Sequence, residues 1–311
     1  MLRIADVANK GRFYTYEEWL KARLKDNTPW DKIVKAMMIA DGKLLDNGAT
    51  GYLLRDPGMR LDNLSLTLST FLGANVSCAQ CHDHPLAREI KQAHYWGLVT
   101  AFNRGKNVDG TAGVAESAVG GFPNFTNLKK ESQPAVVTML TGRTLPETWL
   151  AGDKKEEDSD DKYVDPKAKV RVPKYSRREA FADIATNENP LLARAFVNRM
   201  WFALIGRGIV HPADEINARN VPSHPELLEW LAKDFAENGY DVRRLVRGIV
   251  LTKVYGLAGG SEETPPDTFA RALERPLAAE QIAHSWRVAC GLTPEDETLR
   301  RALVTSIPDV L

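Results

Sequence analysis

The chain has 311 residues, 43% of them apolar and 26% charged, which supports a sizeable buried core and excludes disorder throughout. Lysine plus arginine and aspartate plus glutamate both number 41, so zero net charge excludes a global pull towards nucleic acid or an anionic membrane. No apolar run approaches the roughly 20 residues that span a bilayer, and Met1-Leu2-Arg3-Ile4-Ala5-Asp6 lacks the apolar centre of a signal peptide.

Apolar residues recur every three or four positions at both ends, predicting a mainly α protein with two helical blocks joined by an irregular β-containing insert. The boundaries fall at 1–104, 105–175 and 176–311. In the first block, helices are expected over Tyr16 to Lys25 and over Pro29 to Ala40, the second burying Trp30, Ile33, Val34, Met37 and Met38. A third runs from Asp62, a candidate N-cap, to Leu72 and stops at Gly73. A fourth is expected to start at Pro85 and reach Arg104, with Leu86, Ile90, Tyr95, Leu98, Val99 and Phe102 inward.

Between the third and fourth helices lies Cys78-Ala79-Gln80-Cys81-His82, followed by Asp83-His84-Pro85. This spacing is that of a c-type haem attachment site. Two thiols three apart can each form a thioether with a haem vinyl group, and the adjoining His82 can ligate the iron. Scattered at random, the chain's 3 Cys and 6 His would give such a pentapeptide about one time in two thousand. The same residues with His84 supply four donors for zinc or copper, although four donors in one turn leave little freedom to form a tetrahedron. A redox dithiol, or a surface loop with a structural Cys-x-x-Cys, remains open. His84 lies too close to His82 to reach the opposite face of one haem and reads as a hydrogen-bonding support. Met37, Met38, Met59, His94 and Met139 are the candidates for a sixth iron ligand, though methionines on apolar helix faces are mostly core. Cys290 lies in a helical pattern and reads as a small buried apolar residue.

The insert clusters Gly110, Gly113, Gly120, Gly121 and Gly142, and Ala135 to Leu140 is its best strand. Asp153 to Asp161 holds six acidic residues, a composition expected to stay solvated; the order of an EF-hand calcium loop is absent.

In the second block Ser176 caps a helix from Arg177, with Glu179 as capping-box partner, and Asn189-Pro190 opens the next, to Ile205. Its apolar face holds Leu191, Ala195, Phe196, Met200 and Phe202, and Gly206-Arg207-Gly208 ends it. Ser223 is expected to cap a helix from Pro225 to Asn238 with Leu227, Leu228, Trp230, Leu231 and Phe235 as core; Gly239 closes it and Asp241 opens another. Final helices are expected over Leu277 to Cys290 and Pro294 to Val304. Arg194, Asn198, Arg199, Arg207, Asp214 and Glu215 form a polar set that reads as a network tying helices, with a substrate pocket as the alternative. His211 and His224, each before proline, read as turn or capping chemistry. No nucleophile elbow, phosphate loop or HExxH pattern occurs.

Two sets of residues carry a family resemblance. In the first block they are Thr70-Phe71-Leu72-Gly73-Ala74-Asn75-Val76-Ser77-Cys78-Ala79-Gln80-Cys81-His82-Asp83-His84-Pro85 and Tyr95-Trp96-Gly97-Leu98. In the second they are Asn189-Pro190-Leu191-Leu192-Ala193-Arg194-Ala195-Phe196-Val197-Asn198-Arg199-Met200-Trp201, Gly206-Arg207-Gly208-Ile209-Val210 and Pro222-Ser223-His224-Pro225-Glu226-Leu227-Leu228. With them the chain resembles the planctomycete-type paired domains of unknown function, found in large secreted proteins and often fused to a planctomycete-type cytochrome c domain. The resemblance implies a periplasmic or otherwise extracytoplasmic setting and a cytochrome-like site at Cys78, Cys81 and His82. It also implies an N-terminally shortened member, and a departure at His94, where an acidic residue is expected. The resulting expectation is an electron-transfer module with covalent haem c, whose partner is a redox protein or cytochrome domain. The alternatives are a zinc- or copper-dependent enzyme at the same loop and a non-catalytic scaffold.

Overall fold

The computed structural model describes residues 12–55, 59–108, 113–121, 124–145, 156–187, 189–260, 263–274, 277 and 279–291. Its helices are α1 (Arg12–Lys25), α2 (Trp30–Met38), α3 (Gly51–Leu54), α4 (Arg60–Leu72), α5 (Gln92–Phe102), α6 (Arg177–Thr186), α7 (Pro190–Ile205), α8 (Pro225–Glu237), α9 (Val242–Val250) and α10 (Ala279–Ala289). Short strands are β1 (Gly42–Lys43), β2 (Gly105–Val108), β3 (Gly113–Glu116), β4 (Asn124–Thr126) and β5 (Ser132–Pro134), so the fold is mainly α with a β-containing insert. Among the described residues, no helix is long and apolar enough to cross a membrane.

The amphipathic stripe of α2 buries the five residues expected, Trp30, Ile33, Val34, Met37 and Met38. Trp30 meets Phe196 of α7 with ring centroids 4.3 Å apart, and Phe196 stacks on Phe235 of α8 at 5.2 Å. On its other side Trp30 meets Phe71 of α4, which meets Tyr52 of α3. Each such pair adds about 0.5–1.5 kcal/mol beyond burial of its area. One aromatic chain therefore runs from the first helical block into the second, and the two share a core.

In the insert, β3 pairs antiparallel with β1 and β2, so Val114 stands opposite both Gly42 and Asn107. A separate ladder joins β4 to β5, with Phe125 opposite Gln133. The strand expected over 135–140 keeps its alternation, with Ala135, Val137 and Met139 buried and Val136 exposed, but enters neither ladder. It turns back on itself instead, with Thr138 bridged antiparallel to Thr144 and the Leu145 N–H on the Val137 carbonyl at 3.1 Å, and it packs on α5: a Cβ on Gly97 would lie 2.1 Å from the Val136 carbonyl oxygen, so the backbones meet where only glycine fits.

A buried polar junction holds the insert between the helical blocks. Glu116, at the end of β3, sits at the N-terminus of α6 and accepts the Arg177 N–H at 2.8 Å, the Arg178 N–H at 3.2 Å and the Ser176 hydroxyl at 2.5 Å. The Arg178 guanidinium also donates to Glu116, to the Ala40 carbonyl and to the Asp41 carboxylate. Arg177, fully buried, donates to the carbonyls of Thr100, Gly120 and Gly121. A carboxylate at a helix N-terminus is stabilised by the unpaired N–H groups there, which is why Glu116 tolerates burial.

Several helix ends follow their local signals. The side chains of Ser176, Asn189 and Asp241 accept the backbone N–H groups of Glu179, Leu191 and Arg244. Others do not. α4 begins at Arg60, which leaves Asp62 in the first turn and not at the cap. Ser223 caps nothing: both its N–H and its hydroxyl donate to the Ile209 carbonyl, and His224 takes the N-cap position without a side-chain capping bond, its Nδ1 lying 3.1 Å from the Ser223 hydroxyl. Trp230 is 63% exposed and Phe202 37%, so α8 and α7 present fewer residues inward than expected. Cys290 is exposed just past the end of α10, which corrects its reading as core. The described part of the acidic run, 156–161, stays largely exposed, as expected, and is also anchored: Glu156 bonds Arg104 and Lys162, and Asp158 and Asp160 flank Arg171 at 3.2 and 3.6 Å. Residues 153–155 and the helix expected over 294–304 lie outside the described residues.

Two substitutions test this packing. Glu116→Ala leaves Arg178 with Asp41 as its carboxylate and the first N–H groups of α6 without their acceptor, and is expected to cost about 3–5 kcal/mol in a denaturant melt. Gly97→Ala forces α5 away from the Val136 carbonyl and is expected to cost about 1–3 kcal/mol; an unchanged midpoint in either variant contradicts the packing described.

Candidate functional site

The candidate site is the loop between α4 and α5. Gly73, at φ 63°, ends α4 in the left-handed conformation, and its N–H donates to the Leu68 carbonyl. Val76 and Ala79 are then fully buried, and the Ala79 N–H closes a 3-10 turn, Ser77–Gln80, on the Val76 carbonyl at 2.8 Å. With Ala79 as the inward anchor, Cys78 and Cys81 are both exposed, and both are free thiols. Helix α5 grips the turn between them: Gln92 Nε2 at 3.3 Å and Trp96 Nε1 at 3.0 Å both donate to the Gln80 carbonyl. Gln92 Nε2 also reaches the Thr126 carbonyl of β4 at 3.3 Å, so the insert supports the loop from behind.

The two imidazoles bracketing Asp83 are held in opposite tautomers. Nδ1 of His82 lies 2.6 Å from the Asp83 carbonyl oxygen, which only accepts, so Nδ1 carries the proton and Nε2 keeps its lone pair. In His84 the roles reverse, because Nδ1 accepts the N–H groups of Leu86 at 3.2 Å and Ala87 at 2.8 Å. Its proton is therefore on Nε2, and the ring serves the loop as an internal cap. The His84 N–H in turn donates to the Ile90 carbonyl at 2.9 Å.

These bonds overturn the helix expected from Pro85. Residues 85–91 are turns, Leu86 is 56% exposed, and α5 starts only at Gln92. His84 takes the N–H groups that a helix opening at Pro85 would have placed in its first turn. The true start is set by His94, whose Nδ1 accepts the Lys91 N–H at 3.1 Å, and by Asp83, whose Oδ1 accepts the Gln92 N–H at 3.0 Å. Asp83 also pairs with Lys91 at 3.2 Å. The Gln92 N–H first, with Lys91 assisting, holds the Asp83 carboxyl below its ordinary range. Burial pushes His94 down against the pull of Asp83.

The candidate sixth ligands have other work or other surroundings. Met37, Met38 and Met139 are core, and the Met37 sulfur accepts the Tyr16 hydroxyl at 3.2 Å. Met59 is 53% exposed just before α4, and His94 is the cap of α5. Among the described residues, no three His, Cys, Asp or Glu side chains converge as a metal ion requires.

The polar set of the second block is dispersed. Arg194 pairs with Glu229 of α8 at 2.6 Å, while Asn198 fastens the Val210 N–H, the Val210 carbonyl and the Ala213 carbonyl. Arg199 donates to the Ser69 carbonyl of α4 at 3.0 Å. Apart from Arg194 with Glu229, these are side-chain to backbone bonds, so helix tying is achieved mostly without ion pairs. A cavity between α7 and α8 takes Arg194, Glu229, Lys233 and Tyr240 as lining and no residue of the loop. The supports Asp83, Gln92 and Trp96 escaped the sequence reading. Their one signal there is the four-residue spacing of Gln92 and Trp96, which puts both on one helix face.

Both depressed groups favour their hydrogen-bonding forms in the fold. A His or carboxylate whose folded pKa lies below its unfolded value contributes stability above the unfolded value and loses it as pH falls through the folded one. The Lys91 amide resonance is therefore expected to titrate with a midpoint below 6.5 as His94 protonates, and the Gln92 amide with one below 3.8 as Asp83 does. Midpoints at or above those values contradict the caps.

Residues 4–107 match the PSCyt2 family, described as a protein of unknown function (DUF1549). Residues 177–301 match the PSD1 family, also described as a protein of unknown function (DUF1553). No curated protein and no solved structure matches the chain. The motif loop and its α4–α5 supports lie in the first match, the polar set of α7 in the second, and the chain carries the two planctomycete-type paired domains of unknown function, DUF1549 followed by DUF1553.

Proposed function

We propose that Cys78, Cys81 and His82 form a c-type haem attachment site and that the chain works in electron transfer outside the cytoplasm, with a redox protein or cytochrome domain as partner. The observation that carries this reading is the 2.6 Å contact of His82 Nδ1 with the Asp83 carbonyl oxygen. The Nδ1–H is spent on the Asp83 carbonyl, which orients the ring and leaves Nε2 as a metal ligand. Exposure of both thiols supports it further, since a bulky porphyrin must reach them. Each thiol would add across one vinyl group, sulfur to one carbon and hydrogen to the other, so attachment consumes no oxidant. Bound haem would supply one-electron chemistry, and Gln92 and Trp96 would hold the turn between the two thioethers.

His84 belongs to this site as a support. Ligation through its Nε2 would require the proton to move to Nδ1, which would break two backbone hydrogen bonds. That argues against a zinc or copper site using all four donors of the loop.

The test is export of the full chain alongside a cytochrome maturation system, followed by intact mass and absorption spectrum. Covalent haem is expected in the wild type and lost in a Cys78→Ser, Cys81→Ser double variant, while His82→Ala is expected to alter the spectrum of whatever haem attaches. Haem-free wild type with stoichiometric zinc or copper sinks the reading in favour of a metal enzyme. Haem-free and metal-free protein sinks it in favour of a dithiol or a scaffold.

A further inference from the structure

Residues 210–223 of the second domain form a strap that leaves α7 and returns to α8. Its base is closed by the Ser223 N–H and hydroxyl on the Ile209 carbonyl, at 2.9 and 3.2 Å, and by Asn198 on Val210 and Ala213. Its tip is stiffened by Asn217, whose side-chain oxygen accepts the N–H groups of Arg219 and Asn220, and by Asn220, which donates to the Glu215 carbonyl at 2.9 Å. The tip then bonds the first domain on both flanks of the motif. Before it, the Ile216 N–H donates to the Gly73 carbonyl at 2.7 Å, and a Cβ on residue 73 would lie 2.8 Å from Ile216 Cδ1. After it, the Ala218 N–H donates to Glu89 Oε1 at 2.7 Å. Two amides of one strap thus clamp the two ends of the segment that carries Cys78, Cys81, His82 and His84.

We propose that this strap is the second domain's contribution to the motif site, with Glu89 as the positioning residue through which it holds the Cys-x-x-Cys-His segment in its open, free-thiol geometry. The inference rests on that segment being the reactive one, and not on haem. Glu89 touches no thiol; it acts through Ala218, and the charge on its oxygen strengthens the bond over a neutral one. The clamp makes the site a property of both domains, so a change in the second alters the chemistry of the first.

The test uses haem-free full-length protein, so failure of haem to attach leaves it intact. Glu89→Ala, and separately Asn217→Ala in the strap, are expected to speed amide exchange at Ala79 and His84 about tenfold. They are also expected to raise about tenfold the equilibrium constant for oxidising Cys78 and Cys81 to a disulfide, with glutathione disulfide reduced to two glutathiones, a shift of about 30 mV. Glu89→Gln keeps an acceptor oxygen and is expected to restore most of both. Wild-type values in Glu89→Ala and Asn217→Ala overturn the clamp. A Gln variant no better than Ala overturns the assignment of Glu89 to the Ala218 hydrogen bond.

Discussion

A carboxylate buried at the start of a helix organises this protein. Glu116 satisfies the first N–H groups of α6 while pairing with Arg178, and Arg178 carries the connection on to Ala40 and Asp41. Arg177, next along, collects carbonyls from the end of α5 and from the insert. Buried Arg178 is matched by the carboxylates of Glu116 and Asp41, and a charge left alone there would cost several kcal/mol. The consequence is positional. Helices α2, α5 and α6 and the sheet through β3 are fixed about one point, and α5 is the helix that presents Gln92 and Trp96 to the motif loop.

From that platform the loop inherits its chemistry. Buried Val76 and Ala79 turn the thiols outward, and the Gln80 carbonyl is held between two α5 donors. His82 and His84 are the same residue type two positions apart, yet one presents a free lone pair and the other a proton at Nε2. The difference comes from which backbone group each Nδ1 meets, a carbonyl or a pair of N–H groups. The strap from the second domain then spans the loop's flanks through Gly73 and Glu89.

Legibility in the sequence was greatest for apolar stripes and helix ends. The inner stripe of α2, the caps at Ser176, Asn189 and Asp241, and the turn at Gly73 depend on residues within four positions of one another, and each was readable. Pro85 misled because proline suits a helix start, whereas here His84 captures the N–H groups that follow it. Ser223 misled in the same way, its hydroxyl and N–H being claimed by Ile209, fourteen residues earlier in the chain. The segment 135–140 shows the strand's alternation and bridges back to Thr144 across the turn at Gly142, but its close approach to Gly97 of α5 is announced by no local pattern. Trp230 lies on a helix with apolar residues on more than one side and Cys290 just past the end of another, and periodicity cannot say which side the rest of the protein covers.

By itself, the sequence determined the mainly α class, the β-containing insert and the presence of two thiols and a histidine at the spacing of a haem attachment site, because each is a matter of composition or of neighbours along the chain. Only the folded structure decided which histidine keeps a lone pair, where α5 begins and that the second domain bonds both flanks of the loop. The first turns on bonds one to three residues apart whose geometry the loop's path sets, the second also on Asp83 reaching Gln92, and the third on groups far apart in sequence; a backbone carbonyl or N–H is the same in every residue until a partner arrives.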